Sequence, residues 1–340
     1  LADGSRMRTG MGAIPNGKAW HTYKRGLGPG LDQLFVQSNF GIVTKMGYWL
    51  MRKPEAYAPL FLTIPRDHQP DQAIDILREL RLDGIIRGVP VIQNTLTLAS
   101  HFPEVLGMMQ AKGTLSDADL DELADRTGVG RWGMRTALWG DPVVVQRHVE
   151  RITEAWSAIE GGRVDHHRTY RRDEWDQIEH FVDKVQAGIP SLDMLDSLPP
   201  NFGHVGFSPA VPLEGSQIRA VLDTLHAIVA KETGASFLAG ICVTNERSAL
   251  IVGGFGFDTT DDEATRVAYT TVKTMIREVG ALGYGEYRAH IDFMEEASNE
   301  YSFGDHAYKR FVEKIKDAVD PKGILAPGRH GIWPSNRRDG

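Results

Sequence analysis

Two hydrophobic rhythms alternate along most of this chain. Behind Pro70, apolar residues at Ile74, Leu77 and Leu80 recur at helical spacing and predict a helix starting at Asp71. "SDADLDELADRTG" predicts another, capped by Ser116 and ended by Gly128. Pro142 suits a first helical turn and opens a third through "VVVQRHVERITEAWSAI". Between these stand "YAPLFLTIP" and "RWGMRTALWG", whose β-branched and aromatic residues predict strands.

The second half repeats the plan. A strand at "GHVGFSPAV" leads to a helix at "SQIRAVLDTLHAIVAKETG", then to strands "SFLAGICVT" and "SALIVGGFGF". A long helix at "DDEATRVAYTTVKTMIREVG" precedes a last strand at "GEYRAH". The order β-α-β-β-α-β is the ferredoxin-like split unit, an antiparallel sheet with helices on one face, so the fold class is α+β. One more helix, "DHAYKRFVEKIKDAVDPKG", is stopped by Pro321 and followed by an irregular tail. Residues 1 to about 52 differ: they are glycine-rich and strand-like. "LADGSRMRTG" reads as the middle of a hairpin turning at Asp3-Gly4, and "FGIVTKMGYWLM" as a strand. A first residue that is Leu, inside a hairpin, predicts a piece of a longer protein cut within a domain.

Composition narrows the function classes. A net charge of -7 with no basic run interleaved with aromatics argues against nucleic acid as a partner. The one local basic cluster, "HHRTYRR", runs directly into Asp173 and Glu174. No apolar run reaches the ~20 residues of a membrane helix. Cys242 is the only cysteine and sits in an apolar run, so disulfide and cysteine-metal frameworks are not expected. Adjacent His166 and His167 are poorly spaced for a shared metal, and no metal site is expected. Neither a G-x-G-x-x-G nor a P-loop motif is present, and no serine occupies a G-x-S-x-G elbow.

Three stretches are too glycine-rich and polar to be core alone. They are Leu31–Met51, the "GYGEYRAH" of Gly283–His290, and "DPKGILAPGRHGIWP", Asp320–Pro334. In the second, Tyr287 and Arg288 are neighbours. On a strand they would face opposite ways, so they can serve one ligand only at a strand end or bend. Backbone freed by glycine approaches large planar or phosphorylated ligands closely, and Arg329 in the third stretch supplies a cation.

Together with "RTGMGAIP", "QSNFGIVTKMG" and "GRWGMRTALWG", these stretches resemble the vanillyl-alcohol oxidase / 4-cresol dehydrogenase family of flavoenzymes, in order and spacing, over essentially all 340 residues. The resemblance implies a ferredoxin-like cap domain over residues 53–290. It assigns 1–52 and 291–340 to part of a PCMH-type FAD-binding α+β domain. It also implies that Tyr287 and Arg288 bind the oxygen of a para-substituted phenol. A hydride then passes from the para side-chain carbon to flavin N5, through a quinone methide. Gly41, Ile42, Val43 and Thr44 would meet FAD largely through backbone, with Arg329 nearby. Dioxygen or a cytochrome would accept the electrons, and a homodimer is the family expectation.

Many members of the family tether the flavin through a histidine or tyrosine of the cap. In "NERSALIVGG" Ala249 and Leu250 take the tether positions, and no His or Tyr lies between Phe237 and Phe257, so non-covalent FAD is expected. The resemblance places the family's active-site aspartate, a second phenol-binding tyrosine and most of the pyrophosphate lobe upstream of Leu1. The chain alone is therefore expected to bind FAD poorly. Without a signal peptide the expected compartment is the cytoplasm. Two alternatives stand beside this: the same fold acting on a bulkier phenol or a 2-hydroxy acid, and a non-catalytic α/β ligand-binding module.

Overall fold

A computed structural model describes residues 1–99, 105, 107–108, 112–193 and 201–338. The chain divides into two compact units: Lys53–Tyr287, and Leu1–Arg52 together with Arg288–Gly340.

The larger unit is built on an eight-stranded sheet. Its first half runs β1 (Ala56–Ile64), α1 (Pro70–Leu82), β2 (Val91–Asn94), α2 (Thr95–Ala99), α3 (Asp117–Thr127), β3 (Trp132–Gly140), α4 (Pro142–Trp156), β4 (Arg163–Asp165) and β5 (Tyr170–Arg171). The second half follows α5 (Phe181–Gln186) and β6 (Phe202–His204). It runs β7 (Ala210–Pro212), α6 (Gly215–Thr233), β8 (Leu238–Val243), β9 (Ser248–Gly254), β10 (Gly256–Asp258) and α7 (Asp262–Ala281). In space the strands lie β4-β1-β3-β2-β8-β9-β7, with β5 also on β1, and every pairing is antiparallel. The first four read 4-1-3-2 in their own chain order. The last three, with Glu286 bridged to Pro209 beyond β7, mirror it as 2-3-1-4. Two split units therefore share one sheet, joined where Val91, Ile92 and Gln93 of β2 pair with Cys242, Ile241 and Gly240 of β8.

Local chemistry explains the elements. Ser116 and Asp119 close a reciprocal capping box on α3, and Gly128 ends it in the left-handed region. Asp141 caps α4 ahead of Pro142. Helix α1 begins one residue before the spacing predicts, at Pro70, because a proline at the first helical position loses no hydrogen bond. Helix α1 packs on α6 and α4, and α6 on α7, forming one layer. Ala58, Leu60, Leu62, Ile64, Ile92, Met134, Ile241, Ala249 and Ile251 all point into it and are buried. Among the described residues, no helix is long and apolar enough to cross a membrane.

Three sequence expectations fail here, because where a strand runs is decided by its pairing partners. "GHVGFSPAV" is two short strands in different sheets, β6 on β10 and β7 on β9. "SALIVGGFGF" divides likewise at Phe255. "GEYRAH" makes one bridge at Glu286 and then bends at Tyr287 and Arg288.

The second unit holds α8 (Met294–Asn299) and α9 (Phe303–Val319), and α9 packs on a small core of Phe40, Val312 and Ile332. The predicted strands of residues 1–52 are absent. That stretch has two 3-10 turns, Gly10–Ala13 and Asp32–Phe35, and no regular element from Gly41 to Pro54. A strand exists only through a ladder, and nothing among the described residues pairs with this segment. Its β-branched and aromatic side chains stand in the open, Ile42 at 75% and Trp49 at 66% exposure.

Candidate functional site

Tyr287 closes the larger unit. The segment before it runs along β7: Ala210 N–H donates to Gly285 O at 3.0 Å, and Tyr287 N–H to Ser208 O at 3.4 Å. Tyr284 anchors the approach by donating its hydroxyl to Gln217 Oε1 at 3.0 Å. Glu286 is 8% exposed, and its Oε1 accepts the Ser208 N–H at 3.2 Å. Tyr287 itself is 37% exposed, and the backbone leaves the sheet at Tyr287–Arg288. The alternation that would send the two side chains to opposite faces therefore stops at this pair.

The sheet face opposite the helices is the other candidate surface of this unit. By strand alternation it carries Phe61, Gln93, Arg135, Cys242, Leu250 and Val252, all partly exposed. One end is covered by Tyr57, Trp175, Ile178 and Ala187. There Tyr57 donates to Asp183 O at 2.6 Å, and Arg135 pairs with Asp183 at 3.4 Å while lying over the Phe61 ring. Burial first, then the Asp183 charge, raises the Tyr57 phenol far above its ordinary value, so it stays neutral. Of the two expected tether positions, Ala249 is buried against the helices and only Leu250 reaches the open face. Sequence reasoning passed over His204. Its ring fills the place above Gly254, where an added Cβ would stand 2.7 Å from Nε2. Packing lowers its pKa, which keeps the imidazole neutral. A histidine between small residues in "GHVG" is the sequence trace of that contact.

In the smaller unit the structure brings the 39–44 segment and the Arg329 turn onto one support. Asn39 Nδ2 donates to Ala326 O at 3.0 Å and to Ile332 O at 2.9 Å, bracketing Arg329. Beneath them lies an ion pair that spacing alone does not reveal. Lys316 donates to Asp320 Oδ2 at 2.7 Å, to Asn39 O at 2.8 Å and to Leu325 O at 2.7 Å, and both charged side chains are 0% exposed. Asp320 also accepts the N–H groups of Ile324 and Leu325. Burial alone would raise the Asp320 pKa, but the Lys316 bond and the two amides hold it below its ordinary value.

From this base the chain leaves through a half-buried Gly41, and Ile42–Thr44 run out exposed. A Cβ on Gly41 would stand 2.8 Å from the Phe35 ring. Arg329 is exposed in a turn whose backbone is left-handed at Ala326, Gly328, His330 and Gly331. Two of those four are not glycine, so the turn stores strain of the kind found at ligand sites. His330 Nε2 accepts from Arg329 Nε at 3.3 Å. Burial, then the Arg329 charge, lowers its pKa, consistent with an unprotonated acceptor.

The architecture defines a class: a double split-unit α+β sheet inserted between two segments of a second, glycine-rich unit. No family model matches the chain. The 4-cresol dehydrogenase [hydroxylating] flavoprotein subunit of Pseudomonas putida is 30% identical over 343 residues, spanning 99% of this chain and 64% of that protein. The 1'-carboxy-chondrochloren decarboxylase of Chondromyces crocatus is 26% identical, over 98% of this chain and 67% of its own length. Among solved structures, 4-ethylphenol oxidase from Gulosibacter chungangensis in an isoeugenol complex superposes with a TM-score of 0.88 at 28% identity, over 99% of this chain and 65% of its own. p-Cresol methylhydroxylase with substrate bound gives 0.86 at 28%, over 98% and 64%. These relatives and structural neighbours are flavoproteins of the vanillyl-alcohol oxidase / 4-cresol dehydrogenase kind, and the chain spans just under two thirds of the length of the 4-cresol dehydrogenase subunit and of 4-ethylphenol oxidase.

Proposed function

We propose that the chain forms the cap and part of the FAD-binding domain of an oxidoreductase acting on 4-alkylphenols or 4-hydroxybenzyl alcohols. The observation that carries this reading is the bend at Tyr287–Arg288, which ends strand alternation at the two residues suited to hold a phenol oxygen. A phenol ionises near pH ~10, and an adjacent guanidinium lowers such a pKa by ~1–3 units. Arg288 thus favours the phenolate, and the Tyr287 hydroxyl donates a charge-assisted hydrogen bond to it. A phenolate pushes electron density toward the para carbon, which is what makes that carbon a hydride donor.

The residues present fit one side of a large cofactor. Gly41 leaves its backbone bare beside Phe35, Ile42–Thr44 are exposed, and Arg329 offers a cation from a strained turn. Bound FAD would supply the hydride acceptor, leaving the substrate as a quinone methide that adds water or loses a proton. Dioxygen or a cytochrome would take the electrons, in keeping with the oxidase and the dehydrogenase among the relatives. The expectation of non-covalent FAD rests on residues 237–257, and His204 lies outside them with a neutral imidazole on the open face. Acid precipitation of the flavin-loaded protein separates free from tethered cofactor.

The test is steady-state oxidation of 4-methylphenol by the flavin-loaded protein. Arg288→Ala is expected to lower kcat by about 10²–10³-fold, as for loss of a preorganised anion-stabilising donor. Tyr287→Phe, losing one hydrogen bond to a charge, is expected to cost about tenfold or more. No oxidation by wild type or by either variant would leave the non-catalytic reading standing, and oxidation that both variants leave unchanged would overturn the role given to Tyr287 and Arg288.

A further inference from the structure

The Tyr287–Arg288 bend has a local cause in the hydrogen bonds of Ser208. Pro209 and Glu286 are a bridged antiparallel pair, and on one side of them Ala210 N–H bonds Gly285 O. On the other side Ser208 and Tyr287 are opposite each other, where a continuing ladder would exchange two bonds. Tyr287 N–H does donate to Ser208 O. The return bond forms on neither side, and at Ser208 the N–H donates instead to Glu286 Oε1 at 3.2 Å. A buried carboxylate has taken over a ladder bond, so the chain turns out of the sheet at this residue without orphaning the Ser208 amide. Pro209, with no N–H to offer, adds no competing donor there.

We infer that Glu286 is the positioning residue of the candidate site: its carboxylate caps the ladder at Ser208 and so sets the bend that presents Tyr287 and Arg288 to one phenolic oxygen. The inference rests on the phenol reading above for its ligand. The ladder cap itself is independent of that ligand.

The experiment uses 4-nitrophenol, whose anion is coloured, together with amide hydrogen exchange, in wild type and the Glu286→Ala, Glu286→Gln and Arg288→Ala variants. In wild type the bound probe is expected to shift toward its anion. Glu286→Ala should weaken that shift by about tenfold in the ionisation equilibrium, one pKa unit, and speed exchange at the Ser208 amide. Glu286→Gln keeps an oxygen acceptor in place and should hold both readouts close to wild type. If the alanine variant does not fold, Glu286→Asp carries the test, since it draws the oxygen back by about 1.5 Å, one carbon–carbon bond, and should behave as a loss. Wild-type exchange and anion shift in Glu286→Ala or Glu286→Asp would overturn the inference. A probe that wild type does not ionise, with Arg288→Ala no different, would overturn the phenol reading and with it the positioning role. Exchange at Ser208 would then still report whether the carboxylate caps the ladder.

Discussion

Lys316→Met is the substitution whose consequence the structure specifies most fully. The ammonium holds a carboxylate and two backbone carbonyls with no exposure to water, and methionine keeps its volume while removing all three bonds. Asp320 would be left charged and buried with only the Ile324 and Leu325 amides to stabilise it. Breaking one partner of such a buried pair costs about 3–5 kcal/mol. In a unit of about 100 residues, where each kcal/mol moves the midpoint by ~4 °C or more, melting should fall by roughly 12–20 °C. Trp20, Trp49 and Trp333 all belong to this unit and report its melting by fluorescence. The sign with pH follows from the depressed Asp320 pKa. Its contribution is full above the ordinary carboxylate value and is lost as pH falls through the lower folded value, so wild type and variant should converge in acid. A drop below about 4 °C at neutral pH, under ~1 kcal/mol, would refute the reasoning.

Two further outcomes test the larger unit. A Cβ at Gly215 would stand 2.3 Å from Asp71 O, where α6 crosses α1, so Gly215→Ala should cost about 1–3 kcal/mol by overpacking, read from the urea midpoint. Burial lowers the pKa of His226, which lies edge-on to Phe237 at 5.3 Å, with Asp67 acting weakly the other way. The unfolded chain then takes the proton first. Stability should be full above pH ~6.5 and fall below it by at most about 1.4 kcal/mol per pH unit, a slope that His226→Leu should flatten.

What was legible in the sequence followed from local chemistry. Ser116, Gly128, Asp141 and Pro142 mark helix ends because caps and prolines act within one turn. The helices and most strands of the second half's β-α-β-β-α-β order were legible because their period shows in apolar spacing, whereas the first-half strands Val91–Asn94 and Arg163–Asp165, too short to show a period, were not. The join of Gln93 to Gly240 was not, since strand pairing is a long-range choice that neither strand encodes alone. The same gap explains residues 41–54: their composition suits a strand, but composition cannot supply a partner. Lys316 and Asp320 show the limit for charges. At i and i+4 on a helix such a pair ordinarily lies in solvent, and only the return of residues 39 and 325 over it makes it a buried lock. Tyr287 and Arg288 were legible as a pair. The contact inferred to set the bend there, Ser208 N–H on Glu286 Oε1, was not, because it joins residues 78 apart in sequence.

The central claim is that this chain helps a flavin oxidise para-substituted phenols. Its most direct test is anaerobic addition of 4-methylphenol to the flavin-loaded protein while the visible flavin band is followed. The account predicts rapid bleaching in wild type and bleaching slowed by at least about 100-fold in Arg288→Ala. A bound flavin that 4-methylphenol leaves oxidised would contradict it.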